Sequence, residues 1–460
     1  MKTPVRFRLR AIFAIILAPF AIFEFSYPAL AQTSTVAAAG FERWIPTWVA
    51  APQQGRPAQP IRIPQAPAAA QPQSTAQAPA AARPAGPIVS LNHQTARMIV
   101  HTSIGGNRVR VQLSNAYGGA PLQIGSAHIA LRAKDSAIVA GSDRALTFSG
   151  KPSFSIPVGA IVVSDPVNLD VPQRADLAVS VYVPGDTGPA TLHSVGLHTT
   201  YISREGDAAV APEISNALTS QSWYWLSSVE VAAPANAAAI VTFGDSITDG
   251  TRSTPNTDSS WPSFLAARLA SNPATARIAV LNEGISGNRI LRDGIGPAGL
   301  ARFGRDVVSQ PGVQWVTILE GINDIGAGIG EAFIFGPRPN SADNPTPDDL
   351  IGAYRQMIER AHTHGIKVIG CTLLPFEGAA YYSESGNTVR QAVNQWIRTG
   401  HAFDAVVDFD ALIRDAANPN HFRSEFDSGD HLHPNDAGYK AMADAIDISI
   451  FGKPLMVTKN

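Results

Sequence analysis

The pattern of apolar residues changes near position 237, and this change limits the possible folds more than any other feature of the chain. From about residue 92 to residue 228, apolar and polar residues alternate, as they do over 108–113, which is typical of half-buried antiparallel strands. Turn signals such as Gly105-Gly106 separate the alternating runs at short intervals. We therefore predict an all-β sandwich or jelly-roll domain over residues 89–232, with the aromatic segment 40–50 packed onto it.

After position 237 the chain alternates between short apolar runs and stretches with helical spacing. The run 238–243 is apolar on both faces, which is typical of a central parallel strand. The sequence predicts strands over 238–243, 276–281, 314–319, 367–371 and 405–407, and helices over 260–270, 350–362, 389–397 and 437–446. This alternation favours an α/β domain with a parallel sheet over residues 237–455.

The N-terminus has the pattern of a segment that is removed during export. Four basic residues in the first ten positions precede an apolar run over 11–23, and Ala29 and Ala31 supply the small residues that signal peptidase requires. We predict a signal peptide over residues 1–31 and a periplasmic or extracellular protein. Because the apolar run is shorter than the ~20 residues that cross a bilayer, we expect no stable membrane insertion.

Residues 51–88 differ in composition from the rest of the chain. Positions 51 to 87 contain nine prolines, many alanines and glutamines, and no acidic residue. Such a stretch has too little large apolar surface to offset the entropy lost on ordering. We therefore predict a disordered insertion over residues 51–88.

Charge and cysteine content narrow the possible partners. Thirty-five basic and 37 acidic residues give a net charge of -2, so no cationic surplus is available for a nucleic-acid backbone and we expect no such partner. Cys371 is the single cysteine, which excludes an intramolecular disulfide. We predict that Cys371 is a buried strand residue.

Four loops that follow predicted strands or precede the last helix carry residues suited to catalysis. In an open α/β sheet, reactive groups lie in loops beyond the carboxyl ends of the strands. The first loop, Gly244-Asp245-Ser246, would place a serine hydroxyl at a strand tip. The second contains Gly287, whose N–H can approach a ligand closely, and the third contains Asn323, whose amide can donate a hydrogen bond. Taken singly, each loop is also explained by an ordinary turn.

The fourth loop precedes the last predicted helix and contains Asp430 and His433. Pro434 fixes the backbone after His433. Asp430, three residues before the histidine, can accept the Nδ1 proton and hold the ring in the tautomer that a general base needs. A serine, two hydrogen-bond donors and an Asp/His pair in four such loops favour nucleophilic catalysis over four unrelated turns.

These four loops resemble the four sequence blocks of the SGNH superfamily, also called the GDSL esterases and lipases. The blocks correspond to Gly244-Asp245-Ser246, Gly287, 321–324 and 430–433, and the resemblance covers roughly residues 237–450. The first block has Ile247 where the family name records leucine. An aromatic opening, a β-rich region and then a hydrolase domain resemble a secreted two-domain branch of that superfamily, whose members are described as carbohydrate esterases or lipase-like enzymes.

The resemblance implies a three-layer, flavodoxin-like fold and assigns roles to the site residues. Ser246 would be the nucleophile, His433 the general base and Asp430 the carboxylate that orients the histidine. The Ser246 and Gly287 N–H groups and the Asn323 side chain would form the oxyanion hole, and no metal or cofactor is expected. The implied activity is that of a carboxylic ester hydrolase acting through an acyl-enzyme on a small-molecule or polysaccharide ester.

We expect small acyl groups, such as those of acetylated carbohydrates, because little charge surrounds the predicted crevice. A lipase or arylesterase acting on longer acyl or aryl esters is the alternative. The loop 326–349 and the pair Tyr381-Tyr382 could line an acyl or leaving-group pocket. The sequence does not predict an oligomeric state.

Three further hypotheses compete with this interpretation. An α/β-hydrolase would place its serine in a Gly-x-Ser-x-Gly turn, which Ser246 lacks. A metal hydrolase would use closely spaced histidines, such as the pairs at 362–364 and 431–433. The first pair lies at a predicted helix end, where partly charged imidazole rings need no metal, and we interpret His431 as a loop side chain rather than a second base. In the third hypothesis, the β-rich part is a carbohydrate-binding module and the α/β part is catalytically silent.

Overall fold

The computed structural model of this protein describes residues 43–55, 88–326 and 345–452. The predicted signal peptide over 1–31 lies outside the described residues. So do most of the predicted insertion over 51–88 and most of the loop 326–349.

The described residues before position 237, including the alternating region, form strands joined by turns. Those strands are β1 Arg43–Val49, β2 Gln53–Gln54, β3 Gln94–His101, β4 Gly106–Ser114, β5 Leu122–Ile124, β6 Ser126–Lys134, β7 Ala137–Ile138, β8 Arg144–Ala145, β9 Phe154–Ile156, β10 Ile161–Val163, β11 Val167–Val171, β12 Asp176–Val183, β13 Thr191–His193, β14 Thr200–Ile202, β15 Leu218–Ser220, β16 Trp223–Tyr224 and β17 Leu226–Ala233. In β4, Val109, Val111 and Leu113 are buried while Arg108, Arg110 and Gln112 are partly exposed. The period of two thus separates a core face from a more polar face, as predicted.

These strands form two large antiparallel sheets and two small ones. The first has the order β1-β17-β4-β10, with β11 also paired to β4, and the second has the order β15-β14-β3-β12-β6-β7, with β8 paired to β6. The small sheets are β16-β13-β2 and β5-β9. The N-terminal region is therefore strand-rich.

The start of the predicted disordered insertion requires a correction. Residues 51–55 are ordered, because β2 pairs with β13 and the Gly55 N–H donates a hydrogen bond of 2.8 Å to Ala190 O. Ala51 and Gln53 are buried. The composition of this segment could not reveal these bonds, because their partners lie more than 130 positions later in the chain.

The α/β part contains one parallel sheet with the order β19-β18-β20-β21-β22. Its strands are β18 Ala238–Gly244, β19 Ile278–Gly284, β20 Val313–Leu319, β21 Lys367–Cys371 and β22 Ala405–Val407. All five predicted strands are confirmed, although β19 begins two residues later and ends three residues later than predicted. Every residue of β18 is buried, as expected for a central strand.

The predicted helices are also present. The α-helices are α1 Ser246–Asp249, α2 Trp261–Ala270, α3 Gly299–Phe303, α4 Ile322–Ile325, α5 Pro347–Thr363, α6 Glu384–Thr399, α7 Phe409–Ile413 and α8 Asp436–Ala445; a π-helical turn, Gly304–Val308, and a 3-10 turn, Ile448–Phe451, complete the set among the described residues. Helix α2 packs on β19 and against α8, whereas α5 packs on β21 and against α6. In the part of the chain that the structure describes, no helix is both long enough and apolar enough to cross a bilayer.

The β-rich and α/β parts share one hydrophobic core. Strand β1 pairs with β17 and also contacts β19. Ile45, Val231 and Ile240 are fully buried members of the same apolar cluster. The described residues accordingly form one compact unit.

The register of the parallel sheet places the ends of its central strands side by side. Gly244 at the end of β18 is paired with Gly284 of β19 and with Leu319 of β20. The loops after these three strands therefore begin at the same edge of the sheet. Two of them contain Ser246 and Gly287, and the third leads to Asn323.

Candidate active site

Ser246 lies where β18 ends and α1 begins. Asp245 caps the helix, since its Oδ1 accepts a hydrogen bond of 3.0 Å from the Ile247 N–H. A Cβ on Gly244 would lie 2.2 Å from Thr248 Oγ1 and 2.3 Å from Leu319 O, so this turn requires a glycine. The tight turn makes Ser246 the first residue of the helix, where backbone N–H groups are free of intrahelical partners.

His433 connects the Ser246 hydroxyl to a carboxylate. Its Nε2 lies 2.8 Å from Ser246 Oγ, and its Nδ1 lies 2.8 Å from Asp430 Oδ2. The other carboxylate oxygen, Asp430 Oδ1, accepts hydrogen bonds from the backbone N–H groups of Leu432 and His433 at 3.1 and 2.9 Å. With the Nδ1 proton donated to Asp430, Nε2 presents its lone pair to the Ser246 hydroxyl. The serine and the histidine are 187 positions apart in the chain.

Asp430 is ionised at neutral pH. Burial acts to raise the pKa of this carboxyl, but the hydrogen bond and charge of His433, together with two backbone N–H groups, outweigh it and lower the pKa. Arg252 also contacts Asp430, with its Nε 3.0 Å from Oδ2, although the arginine is largely exposed. The negative charge of Asp430 stabilises a protonated His433.

Gly287 lies in a turn that the first loop holds in place. The Asn288 N–H donates to Ile285 O at 3.0 Å, and Gly287 has a φ of 75°, which favours glycine. The Ile285 N–H donates to Gly244 O at 3.0 Å and links this turn to the serine loop. Among the described residues, neither the Gly287 N–H nor the Ser246 N–H has a hydrogen-bond acceptor.

Asn323 is adjacent to the same turn. Its Nδ2 donates a hydrogen bond of 3.0 Å to Asn288 O, and its Oδ1 accepts one of 3.2 Å from the Tyr381 hydroxyl. These two bonds orient the amide and leave the second Nδ2 hydrogen for a ligand. The structure thus connects all five predicted site residues through hydrogen bonds between their loops.

A protein-family model matches the part of the chain that contains this site. Residues 242–441 match the model of the GDSL-like lipase/acylhydrolase family, and the four loops lie within that range. Residues 242–441 are therefore a GDSL-like lipase/acylhydrolase domain. The C-terminal half therefore has the GDSL/SGNH hydrolase fold.

Solved structures of GDSL-like and related hydrolases are similar to this chain. A GDSL-like lipase from Bacteroides thetaiotaomicron is 20% identical, with 46% of this chain and 87% of that chain covered and a TM-score of 0.33. A mutant acetyl-xylooligosaccharide esterase from Geobacillus Stearmophilus is 24% identical, with 45% and 91% covered and a TM-score of 0.34. An alpha/beta hydrolase from the metagenome of Lake Arreo is 22% identical, with 46% and 94% covered and a TM-score of 0.35. The comparison with curated proteins found no match.

Arg302 is a residue of the GDSL-like domain that the sequence analysis missed. Its buried guanidinium donates to Gly244 O at 2.9 Å, to Glu283 O at 2.7 Å and to Asn288 Oδ1 at 2.7 Å. One side chain therefore binds both the serine loop and the Gly287 turn. No sequence signal identified Arg302, because its partners belong to other loops and its own helix α3 was not predicted.

Arg302 is surrounded by buried acidic groups. Asp306 and Glu320 contact the guanidinium at 3.1 and 3.3 Å. Burial raises the pKa of Glu320 well above its ordinary value, and burial raises the pKa of Asp245 to about 7. Asp430 differs from these carboxyls because its pKa is lowered and because it contacts the histidine beside Ser246.

The other histidines near the predicted motifs have different partners. His431 is half exposed and its Nδ1 lies 2.6 Å from Asp427 Oδ2. His362 Nε2 lies 2.8 Å from Asp404 Oδ2, and His364 Nδ1 bonds Arg360 O at 2.8 Å.

One cluster of possible metal ligands occurs in the described residues, and none of its members is a residue of the predicted active site. Single ligand atoms of His101, Asp176 and Asp258 lie within 4.8 Å of one another. His101 Nδ1 already donates to Asp176 Oδ1 at 2.7 Å, and Arg132 contacts the other oxygen of Asp176 at 2.8 Å. A metal on Nδ1 would move the proton to Nε2, which is buried with no acceptor among the described residues. The cluster therefore fits an ion-pair network better than a metal.

Proposed function

We propose that this protein is a serine carboxylic-ester hydrolase that acts through an acyl-enzyme. The observation that carries this proposal is the chain of hydrogen bonds from Ser246 Oγ to His433 Nε2 and from His433 Nδ1 to Asp430, within a GDSL-like domain. A serine hydroxyl is a weak nucleophile by itself and needs an adjacent base. This arrangement supplies both the base and the carboxylate that orients it.

Acylation begins when Ser246 Oγ attacks the carbonyl carbon of the ester. His433 Nε2 takes the hydroxyl proton as the new C–O bond forms, and Asp430 stabilises the resulting imidazolium. The carbonyl oxygen gains negative charge and is held by the N–H groups of Ser246 and Gly287 and by the Asn323 amide. His433 then gives its proton to the departing alcohol, and the acyl group stays on Ser246.

Deacylation repeats these steps with water as the nucleophile. His433 Nε2 removes a proton from the attacking water, and the same three donors stabilise the second oxyanion. The intermediate collapses, the acid is released and the proton returns to Ser246. Each proton that leaves a nucleophile is thus passed by His433 to a leaving oxygen.

Small acyl groups, such as those of acetylated carbohydrates, are the substrates that we favour. Tyr381 is buried, its hydroxyl bonds Asn323, and a Cβ on Gly326 would lie 2.6 Å from its ring. The Tyr381 side chain therefore takes up space next to the Asn323 amide, which supports a preference for short acyl chains. We also infer from the basic and apolar N-terminal segment that the protein is exported to the periplasm or the medium.

Hydrolysis of p-nitrophenyl acetate tests the reaction class. The purified protein should release p-nitrophenol, and Ser246→Ala should lower kcat by at least about 10⁴-fold because the nucleophile is lost. Ser271→Ala, which changes an exposed serine at the end of α2, is the matched control and should leave turnover unchanged. Equal rates for the native protein and Ser246→Ala would refute the proposal, and retention on a polysaccharide without hydrolysis would favour the binding-module alternative.

Substrate preference is tested separately. Rates for p-nitrophenyl esters from two to twelve carbons should decline steeply with chain length, and acetylated xylan should release acetate. A maximum at long chains would instead assign the protein to the lipase alternative.

A further inference from the structure

A buried histidine of the β-rich part reaches into the GDSL-like domain. His193, the last residue of β13, is 3% exposed, and its Nε2 lies 2.9 Å from Asp249 Oδ1. Its Nδ1 lies 3.0 Å from Ala51 O, in the ordered segment before β2. Asp249 is the last residue of α1, the short helix that begins with Ser246.

The partners of His193 determine its charge. A carbonyl oxygen and a carboxylate both accept hydrogen bonds, so both ring nitrogens must carry protons and the imidazole is positively charged. Burial opposes this charge, but Asp249 and the two hydrogen bonds outweigh it, and the pKa of His193 is raised. The protonated ring compensates the carboxylate of Asp249, which is 6% exposed.

Asp249 in turn holds the turn that presents Gly287. Its Oδ2 accepts hydrogen bonds from the Ser286 backbone N–H at 2.9 Å and from Ser286 Oγ at 2.7 Å. Ser286 immediately precedes Gly287. A Cβ on Gly284 would lie 2.3 Å from the backbone nitrogen of Asp249, which shows how closely the end of β19 approaches α1.

We propose that His193 is a positioning residue for the oxyanion hole: through Asp249 and Ser286, it fixes the orientation of the Gly287 N–H. This inference rests on the proposed function. The β-rich part then contributes to catalysis by supplying the hydrogen-bonded cation that holds Asp249 in its orientation, although it touches no reacting atom. A carboxylate that lost this cation would be buried without compensation and would change its orientation.

A second histidine provides a matched control. His198 also belongs to the β-rich part, is 6% exposed, and contacts a carboxylate of the α/β part, with its Nε2 2.8 Å from Asp258 Oδ1. Both histidines line the same small cavity of about 80 Å³. Asp258 makes no hydrogen bond to the turn 285–288, so His198 joins the two parts without holding Gly287.

Substituting each histidine in turn tests whether His193 orients the Gly287 N–H or only joins the β-rich part to the α/β part. Asn can keep the contact of His193 Nδ1 with Ala51 but cannot reach Asp249. His193→Asn should lower kcat for p-nitrophenyl acetate by about ten- to a hundredfold, with KM within about threefold, because one oxyanion donor is misplaced. His193→Gln, whose amide can still reach Asp249, should be less affected. His198→Asn should leave both constants within about twofold.

Hydrogen exchange gives a readout that does not depend on activity. In His193→Asn, the amides of residues 285–288 should exchange about tenfold faster than in the native protein, whereas in His198→Asn they should be unchanged. If the His193 variant does not fold, Ser286→Ala tests the same link, because it removes one of the two bonds to Asp249 Oδ2; kcat should then fall about tenfold.

The outcomes distinguish this inference from the proposed function. If Ser246→Ala is inactive while His193→Asn retains native kcat and native exchange, the positioning role is refuted and the esterase assignment stands. If the native protein has no activity beyond Ser246→Ala, the esterase assignment is refuted, and faster exchange confined to His193→Asn still supports the control of Gly287 by His193. Equal losses in the His193 and His198 variants would overturn the positioning role in favour of simple attachment.

Discussion

Arg97 in the β-rich part and Arg302 in the α/β part are both buried, but their guanidinium groups have different partners. Arg97 donates to Ser180 Oγ at 2.9 Å and to the carbonyl oxygens of Ser136 and Ala211 at 2.7 Å each. These partners are neutral, and they tie surface loops to the sheet. Burial lowers the pKa of Arg97, although the charge of Asp143 opposes this shift.

Arg302 combines backbone carbonyls with carboxylates. It binds the strand-end carbonyls of Gly244 and Glu283, forms an ion pair with Asp306 and contacts the side chain of Glu320. The difference shows that a buried arginine has two distinct structural roles in this molecule. In the β-rich part it stabilises irregular backbone, whereas in the α/β part it brings the loops of the candidate site together.

Within the comparison of the two parts, the largest difference in turnover is expected between two His–Asp pairs, one from each part. Asp430→Asn should lower kcat/KM by about 10³- to 10⁴-fold, because an amide donates to His433 Nδ1 and forces the wrong tautomer. Asp143→Asn disrupts the pair with His128 in the β-rich part, where the distance is 2.9 Å, and should leave turnover unchanged. Steady-state kinetics on p-nitrophenyl acetate measure both. A rate within tenfold of native for Asp430→Asn would contradict the role of this carboxylate.

The second prediction replaces each buried arginine by methionine. Arg302→Met should lower the free energy of unfolding by about 3 kcal/mol, because two buried backbone carbonyls and the Asn288 amide oxygen lose their hydrogen-bond donor. It should also lower kcat about a hundredfold, because the serine loop and the Gly287 turn lose their common ligand.

Arg97→Met should destabilise the protein by a similar amount, about 3 kcal/mol, because several buried carbonyls lose a donor. Its kcat should be unchanged at a temperature where the variant is folded. Urea denaturation and steady-state kinetics give the two quantities. Equal losses of kcat in the two variants would remove the functional distinction between the arginines.

The third prediction concerns the pH dependence of stability, where the two parts should act in opposite directions. Burial raises the pKa of Asp245 to about 7 in the folded state, so folding favours its neutral form. The stability that this group contributes is present below its unfolded pKa of 3.8 and is lost as pH rises through 7. Asp245→Asn should therefore flatten the decline in unfolding free energy between pH 4 and pH 7.

Asp176 in the β-rich part should change the pH dependence of stability in the opposite direction. Burial acts to raise its pKa, but His101 and Arg132 outweigh this and lower the pKa to about 2. Its contribution to stability is present above pH 4 and is lost as pH falls toward 2, and Asp176→Asn should remove that loss. Urea denaturation at several pH values measures both slopes. Identical slopes in the native protein and Asp245→Asn would show that Asp245 titrates normally.

The smallest expected effect is at the surface of the site. Arg252 contacts Asp430 at 3.0 Å, but 59% of its side chain is exposed. Because exposed ion pairs contribute at most about 1 kcal/mol, Arg252→Ala should change kcat/KM less than about fivefold, and the change should shrink at high salt. A loss approaching that of Asp430→Asn would indicate that Arg252 binds substrate directly. Kinetics at low and high ionic strength distinguish these cases.

The periodicity of apolar residues was sufficient to predict most of the regular structure. The predicted strands over 367–371 and 405–407 have the observed bounds, and the helix predicted over 260–270 begins one residue later. These signals are local, because the side-chain period of a strand or helix is set by neighbouring residues. The short helix α3 has too few residues for a period to be recognised, and it was missed.

By itself, the sequence also determined which residue types the four loops carry: the serine, the glycine, the amide and the Asp/His pair. Only the tertiary structure decided that Ser246 and His433 lie 2.8 Å apart, that Arg302 binds two loops, and that His193 reaches Asp249. It also decided that residues 51–55 are ordered. These features depend on groups separated by tens to hundreds of positions, and such contacts form when the sheets and helices bury a common core. Local patterns predict which elements form, whereas hydrogen bonds and buried charges between distant loops depend on how those elements pack.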